Sequence, residues 1–202
     1  MVTDDPELVN APATSPPKKN DGQSPLQIAL KWGQFTIADL LIERGADVNF
    51  IELSDINAWR TPVLHDAIRA TVFSMRSAWA TSGSVERLQA GIAILTKILQ
   101  RGGDPNSVDS YGNTGLGRAL LDLRQVLTSI PLKDDASSAR DPIFDADAKL
   151  IVRALVDHGG DIYLGTESRP SAVEESCGRY FEKIIQEFQI DSDRVDSTHF
   201  SE

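Results

Sequence analysis

The chain has 202 residues, 41% apolar and 25% charged, a balance that suits one globular domain with a sizeable core or a short repeat array. Its net charge of −10 argues against nucleic acid and anionic lipid as partners, because both select basic faces. A single cysteine, Cys177, allows neither an internal disulfide framework nor a cysteine-based zinc site, and no apolar run is long enough to span a membrane.

Residues 1–20 are rich in Pro, Asp, Asn, Ser and Thr, lack periodicity and read as a disordered leader. They have no basic-then-apolar order of a signal peptide, and a cytoplasmic or nuclear location is expected. Ser24-Pro25 then opens a helix with a capping hydroxyl and a proline at its first position. Leu26, Ile28, Ala29 and Leu30 give it an apolar face, and Gly33 breaks it. A second helix carries Phe35, Ile37, Ala38, Leu40, Leu41 and Ile42, and needs neighbours on more than one side. Gly45 suits the left-handed position after its end, and Ala46-Asp47-Val48-Asn49 closes the unit.

Residues 50–60 form a connection bearing Phe50, Ile51, Leu53, Ile56 and Trp59. It reads either as a cover for the first unit or as a contact surface. Thr61-Pro62-Val63-Leu64-His65-Asp66-Ala67 opens a second unit, which ends at Arg101-Gly102-Gly103-Asp104-Pro105-Asn106. Between these ends, Leu64, Ile68, Val72, Met75 and Trp79 make one helical stripe, and Val85, Leu88, Ile92, Leu95 and Leu99 a second. The spacing predicts two helices stretched to about four or five turns, packed antiparallel across the turn 81–84. A third unit repeats the plan. Leu116, Leu120, Leu123, Leu127 and Ile130 form its first stripe, Pro131 stops the helix, and a second helix runs from about Ile143 to His158 before Gly159-Gly160-Asp161. Ser168-Arg169-Pro170-Ser171 begins a degenerate fourth unit, whose Tyr180, Phe181, Ile184, Ile185 and Phe188 suit a terminal cap; residues 189–202 read as an acidic tail.

Gly22, Ser24-Pro25-Leu26, Ala29, Gly33, Leu40-Leu41 and the Gly45–Asn49 ending resemble one ankyrin repeat, a unit of about 33 residues built as a turn and two helices. Leu64, His65 and Ala67 match the family's Thr-Pro-Leu-His-x-Ala motif with one slipped residue, and the Gly-x-Asp ending recurs at Gly102 and Gly159. The resemblance covers about residues 21–188. It implies an all-α solenoid of helix–turn–helix units, at 21–49, 60–106, 109–162 and 166–188, with elongated helix pairs in the second and third. It also implies that partners, usually folded proteins or peptide segments, bind a concave face lined by turn fingers and first helices. Family geometry laid on this chain selects Trp59, Arg60, Asp66, Arg69, Tyr111, Asn113 and Arg118 as candidate contacts.

No catalytic set emerges. The resemblance puts His65 in the turn network between repeats, and His158 in a last helical turn suits the helix dipole. Cys177 reads as a buried, inert thiol on a capping helix. Gly112-Asn113-Thr114-Gly115-Leu116-Gly117 lacks the lysine and preceding strand of a phosphate loop, and Asp191, Asp193 and Asp196 lack the glycine and closing glutamate of a calcium loop. No metal or cofactor is expected. The reading is a non-catalytic protein-interaction scaffold. Its alternatives are a small enzyme or ligand-binding protein with a site between finger 50–60 and the elongated helices, and a regulatory subunit of a larger assembly. A monomer is expected, with a dimer through the inserted helices as the other outcome.

Overall fold

The computed structural model describes residues 6–76, 84–129, 141–177 and 179–197. Nine α-helices are found among them: α1 (Pro6–Asn10), α2 (Pro25–Lys31), α3 (Phe35–Glu43), α4 (Val63–Val72), α5 (Val85–Gln100), α6 (Gly115–Ser129), α7 (Pro142–Val156), α8 (Ala172–Ser176) and α9 (Glu182–Ser197). The described residues hold no strand, only two isolated antiparallel bridges, Ile51 with Pro62 and Val108 with Thr114. The fold is all-α, as expected, and consistent with an ankyrin-repeat stack.

Helices pair in sequence, α2 with α3, α4 with α5, α6 with α7 and α8 with α9. The first members pack in one layer, α2 on α4, α4 on α6, α6 on α8; the second members pack in another, α3 on α5, α5 on α7, α7 on α9. One continuous core lies between the layers, from Leu26 and Leu30 through Leu64, Ile68, Leu95 and Ile98 to Leu120, Phe144 and Phe188, all essentially closed to solvent. Each such side chain contributes about 1.5–3 kcal/mol by leaving water.

The sequence ending Gly-x-Asp-x-Asn acts as a joint between units. Gly45, Gly102 and Gly159 have φ of 87°, 90° and 92°, a conformation that side-chain-bearing residues rarely adopt. Just after each, an N–H turns back to a carbonyl of the preceding helix: Ala46 to Leu41, Gly103 to Ile98 and Gly160 to Leu155, each at 2.9 Å. Asp47 and Asp104 then accept the N–H of Asn49 and Asn106 at 2.9 Å. The Asn49 amide donates to the Gly102 carbonyl at 2.9 Å and accepts from the Asp104 N–H at 3.0 Å. Asn106 does the same to Gly159 and Asp161, at 2.9 Å each. Every asparagine thus clamps the helix end of the unit after it.

The ladder begins earlier than the sequence reading allowed. Asn10 donates to the Gly45 carbonyl at 3.2 Å and accepts from the Asp47 N–H at 2.7 Å, while Val9 is buried. Residues 6–20, read as part of a disordered leader, therefore carry α1, which packs on α2 as an end piece. At the other end Tyr163 occupies the asparagine position, and α9 runs to Ser197, into the segment read as a tail.

The elongated pair of the second unit needs correction. α5, with 16 residues, is long as expected, but α4 has 10 and stops at Val72. Thr71 and Ser74 turn their hydroxyls back onto the carbonyls of Ala67 and Ala70, at 2.8 Å each, a competition that weakens a helix end. The stripe still serves the core, because Val72 and Met75 are closed to solvent; Trp79 and the expected turn lie outside the described residues. In α5 the buried face is Leu88, Gly91, Ile94, Leu95, Ile98 and Leu99, which keeps Leu88, Leu95 and Leu99 of the expected stripe, adds Gly91, Ile94 and Ile98, holds Ile92 at the core edge and leaves Val85 exposed. A stripe stepped strictly by 3 and 4 follows a supercoil, whereas this helix presents the wider face of a straight one. α6 and α7, each of 15 residues, are both long. Cys177, expected to be buried, is exposed: α8 is little more than one turn, and its inward positions are taken by Ala172 and Ser176.

An ion pair with one buried member ties the insertion to the next unit. Asp147 on α7 is closed to solvent and accepts from the Arg76 N–H at 3.1 Å, from Nε at 3.0 Å and from Nη2.

Candidate functional site

The first connection, residues 50–60, doubles back on itself: Glu52 N–H donates to the Thr61 carbonyl at 3.1 Å, and Val63 N–H to that of Phe50 at 3.0 Å. Its extended start gives alternate residues opposite sides. Ile51 and Leu53 point to solvent, whereas Glu52 and Ser54 are buried, 3% and 0% exposed. Ser54 donates to Asp21 at 2.7 Å and pins the finger to the turn before α2.

Behind this finger lies a cavity of about 940 Å³, bounded by the ends of α2, the outer face of α4, the starts of α5 and α6 and the tip at Tyr111. It occupies the finger-and-first-helix side of the stack. Trp59 and Tyr111, from successive fingers, meet at its mouth with ring centroids 4.5 Å apart. Asp66 lines the wall and accepts from Gln27 Nε2 at 3.1 Å. Arg69 is exposed beside it and lies over the Phe73 ring at 5.4 Å. Arg118 also lines the cavity, but its guanidinium is bound to Asp122, which is closed to solvent. Arg60 and Asn113 do not line it. The Arg60 guanidinium folds back on the carbonyls of Asn57 and Trp59, while Asn113 is buried with its amide on Asp109 at 2.8 Å.

Glu52 forms part of the cavity floor, together with Thr61, and one oxygen of each side chain has no hydrogen-bond partner. Burial pushes the Glu52 carboxyl above its usual range, with Lys31 and Arg60 opposing. Burial acts more strongly on Asp66, which is pushed up to about 7 against the bond from Gln27, with the neighbouring Glu52 adding to the rise. Lys31, Trp32 and Arg87 complete the opposite wall. Motif matching selected Asp66 but missed Glu52, Thr61, Lys31, Trp32 and Arg87; period-two alternation in the finger was the one available signal for Glu52.

His65 occupies a joint. Its Nε2 lies 2.9 Å from the Ser107 carbonyl, and its Nδ1 is 3.8 Å from Asp109. Burial works to raise the Asp109 carboxyl, but the neighbouring His65 ring, together with bonds from the Asn113 side chain and the backbone N–H groups of Asn113 and Tyr111, holds it well below the usual range. The phosphate-loop look of Gly112–Gly117 is accounted for here, since Asp109, Asn113 and the helix start at Thr114 use its polar groups internally. His158 donates from Nδ1 to the Ala154 carbonyl of its own helix at 2.8 Å. Among the described residues no helix is long and apolar enough to cross a membrane, and no group of three or more His, Cys, Asp or Glu could hold a metal ion.

No curated protein matches the chain. The family model described as Ankyrin repeat matches residues 21–52, the segment from the turn before α2 to Glu52. Repeats of that family are typically non-catalytic modules that mediate protein–protein interaction. The chain therefore carries an ankyrin repeat at residues 21–52, set in an all-α stack consistent with that fold.

Proposed function

We propose that this protein is an interaction module that binds a segment of a protein partner on the finger side of its first-helix layer, over the cavity behind finger 50–60. The observation that carries this reading is the Trp59–Tyr111 contact at the cavity mouth, flanked by Arg69. Aromatic and arginine side chains at the rim of a pocket are the residues on which binding energy concentrates. Ile51, Leu53 and Ile56 add exposed apolar surface on the same finger, which favours a contact role over a mere cover. Asp66 and Arg118 belong to the proposed surface as cavity walls.

The test is affinity capture with mass spectrometry, using the intact chain and a Trp59→Ala/Tyr111→Ala variant whose melting is unchanged. Partners captured by the parent are expected to be lost from the variant. Retention of all of them would remove this face from consideration. Arg118→Ala is a poor probe, because it leaves Asp122 buried and unpaired.

A second reading, a small-molecule site, is favoured by the cavity volume, which lies within the range of ligand pockets. Retention of metabolites from a lysate by the parent, and their loss on Glu52→Gln, would distinguish it.

A further inference from the structure

The charge lining the cavity differs from that of the chain. Net charge is −10, yet Lys19, Lys31, Arg69, Arg87 and Arg118 all face this one space, against two carboxylates, Glu52 and Asp66. Arg118 is neutralised by Asp122. None of the other four has a carboxylate in ion-pair contact among the described residues. Two are nevertheless held in position: Lys31 Nζ donates to the Lys19 carbonyl at 2.5 Å and to Gln23 Oε1 at 3.1 Å, and Lys19 Nζ lies 4.6 Å from the centre of the Trp32 ring. Arg87 lies over Phe35 at 5.9 Å, with its Nε–H buried and without an acceptor.

We propose that the cavity receives an acidic segment of the partner, whose carboxylates meet Lys31, Arg69 and Arg87 while its backbone lies across Trp59 and Tyr111. This rests on the peptide-binding reading above and names the chemistry of the segment. At physiological ionic strength charges are screened over about 8 Å, so the acidic remainder of the surface weighs little inside the cavity. A basic segment would instead enter among four cations with no carboxylate in contact.

Asp66, its carboxyl pushed up to about 7 by burial, opposes an acidic ligand less as pH falls through neutral, and burial shifts the Glu52 carboxyl in the same direction. The groups facing Glu52 are Lys31, Arg60, Gln23 and Asp21, and those facing Asp66 are Gln27, Glu52, Lys31 and Arg69. His65 lines the same space from α4. An incoming carboxylate raises both affinities for a proton further, so binding takes up protons and tightens as pH falls.

The experiment uses the full chain and fluorescein-labelled peptides in which Glu, Lys or Gln alternates with Gly, followed by anisotropy from about pH 8.5 to about pH 6. The Glu peptide is expected to bind about tenfold or more tighter than the Gln peptide, with the Lys peptide weakest. Its affinity is expected to rise toward pH 6, and Glu52→Gln/Asp66→Asn to flatten that rise. Arg69→Glu/Arg87→Glu, at unchanged melting, is expected to weaken it about tenfold. Tighter binding of the Lys peptide, or Glu-peptide binding indifferent to the charge reversal, overturns the proposal. If Trp59→Ala/Tyr111→Ala loses a captured partner while the Glu peptide does not bind, the face stands and the acidic segment is overturned.

Discussion

Asp66 sits where two demands conflict. Its position on α4 faces the cavity, yet it is enclosed enough that burial lifts its carboxyl from an ordinary 3.8 to about 7. The folded state then holds the proton more tightly than the unfolded chain. That contribution to stability is complete below about pH 4 and is lost as pH rises through 7. Asp66→Asn keeps an acceptor for Gln27 and removes the charge, so at pH 8 it should stabilise the protein by about 1 kcal/mol, a figure kept small because the side chain still reaches solvent. The gain should fade toward pH 5. Urea unfolding at the two pH values checks it, and equal or lower stability at pH 8 would show that the ionised form is well accommodated. Asn113 belongs to the opposite case, a polar group that looks available in sequence but is spent on Asp109, in the joint that His65 also occupies.

At the scale of elements, the helices that read cleanly are those whose ends carry explicit chemistry. Ser24 accepts from the Gln27 N–H and Gln27 returns the bond to the Ser24 N–H, as the Ser-Pro start predicts for α2. Asp141 caps α7 next to Pro142. α4 reads too long because its stripe through Met75 is real as burial but not as helix; apolar periodicity cannot register hydroxyls that withdraw carbonyls from the ladder. The tie from Arg76 to Asp147 was invisible for another reason, since it joins residues 71 apart. Asp147→Ala should destabilise the protein by about 1–2 kcal/mol, as it removes the acceptor of the Arg76 N–H while the exposed guanidinium keeps its water. A denaturation curve within about 0.5 kcal/mol of the parent would mean that the pair is a surface ornament of the insertion.

For the whole molecule, the sequence conveyed the phase of the stack better than its extent. Gly45, Gly102 and Gly159 fixed where units end, because a left-handed residue after a helix has few substitutes. Asn10 went unrecognised because Val9-Asn10 repeats only two residues of Val48-Asn49, without the glycine and aspartate before them. The cavity was legible as a place, between finger and helices, but not as a lining. Lys31, Arg87 and Glu52 come from three separate segments, and only the packing of α4 against both neighbours brings them to one space.

Tyr163, where the asparagine ladder ends, has a consequence for how the stack comes apart. Units before it are riveted to the next helix end by an asparagine side chain, whereas α8 and α9 are retained by apolar packing around Phe144, Phe181 and Phe188, by the partly exposed ion pairs Arg124–Glu175 and Lys149–Glu187, and by bonds from Thr166, Ser168 and Arg169 to the finger at Tyr111 and Gly112. In an array coupled only through neighbours, the weakest boundary opens first. Amides of α8 and α9 should therefore exchange with deuterium at lower denaturant than those of α4 and α6, leaving a shorter stack that is still folded. Simultaneous exchange across all four helices would mean that the protein melts as one block.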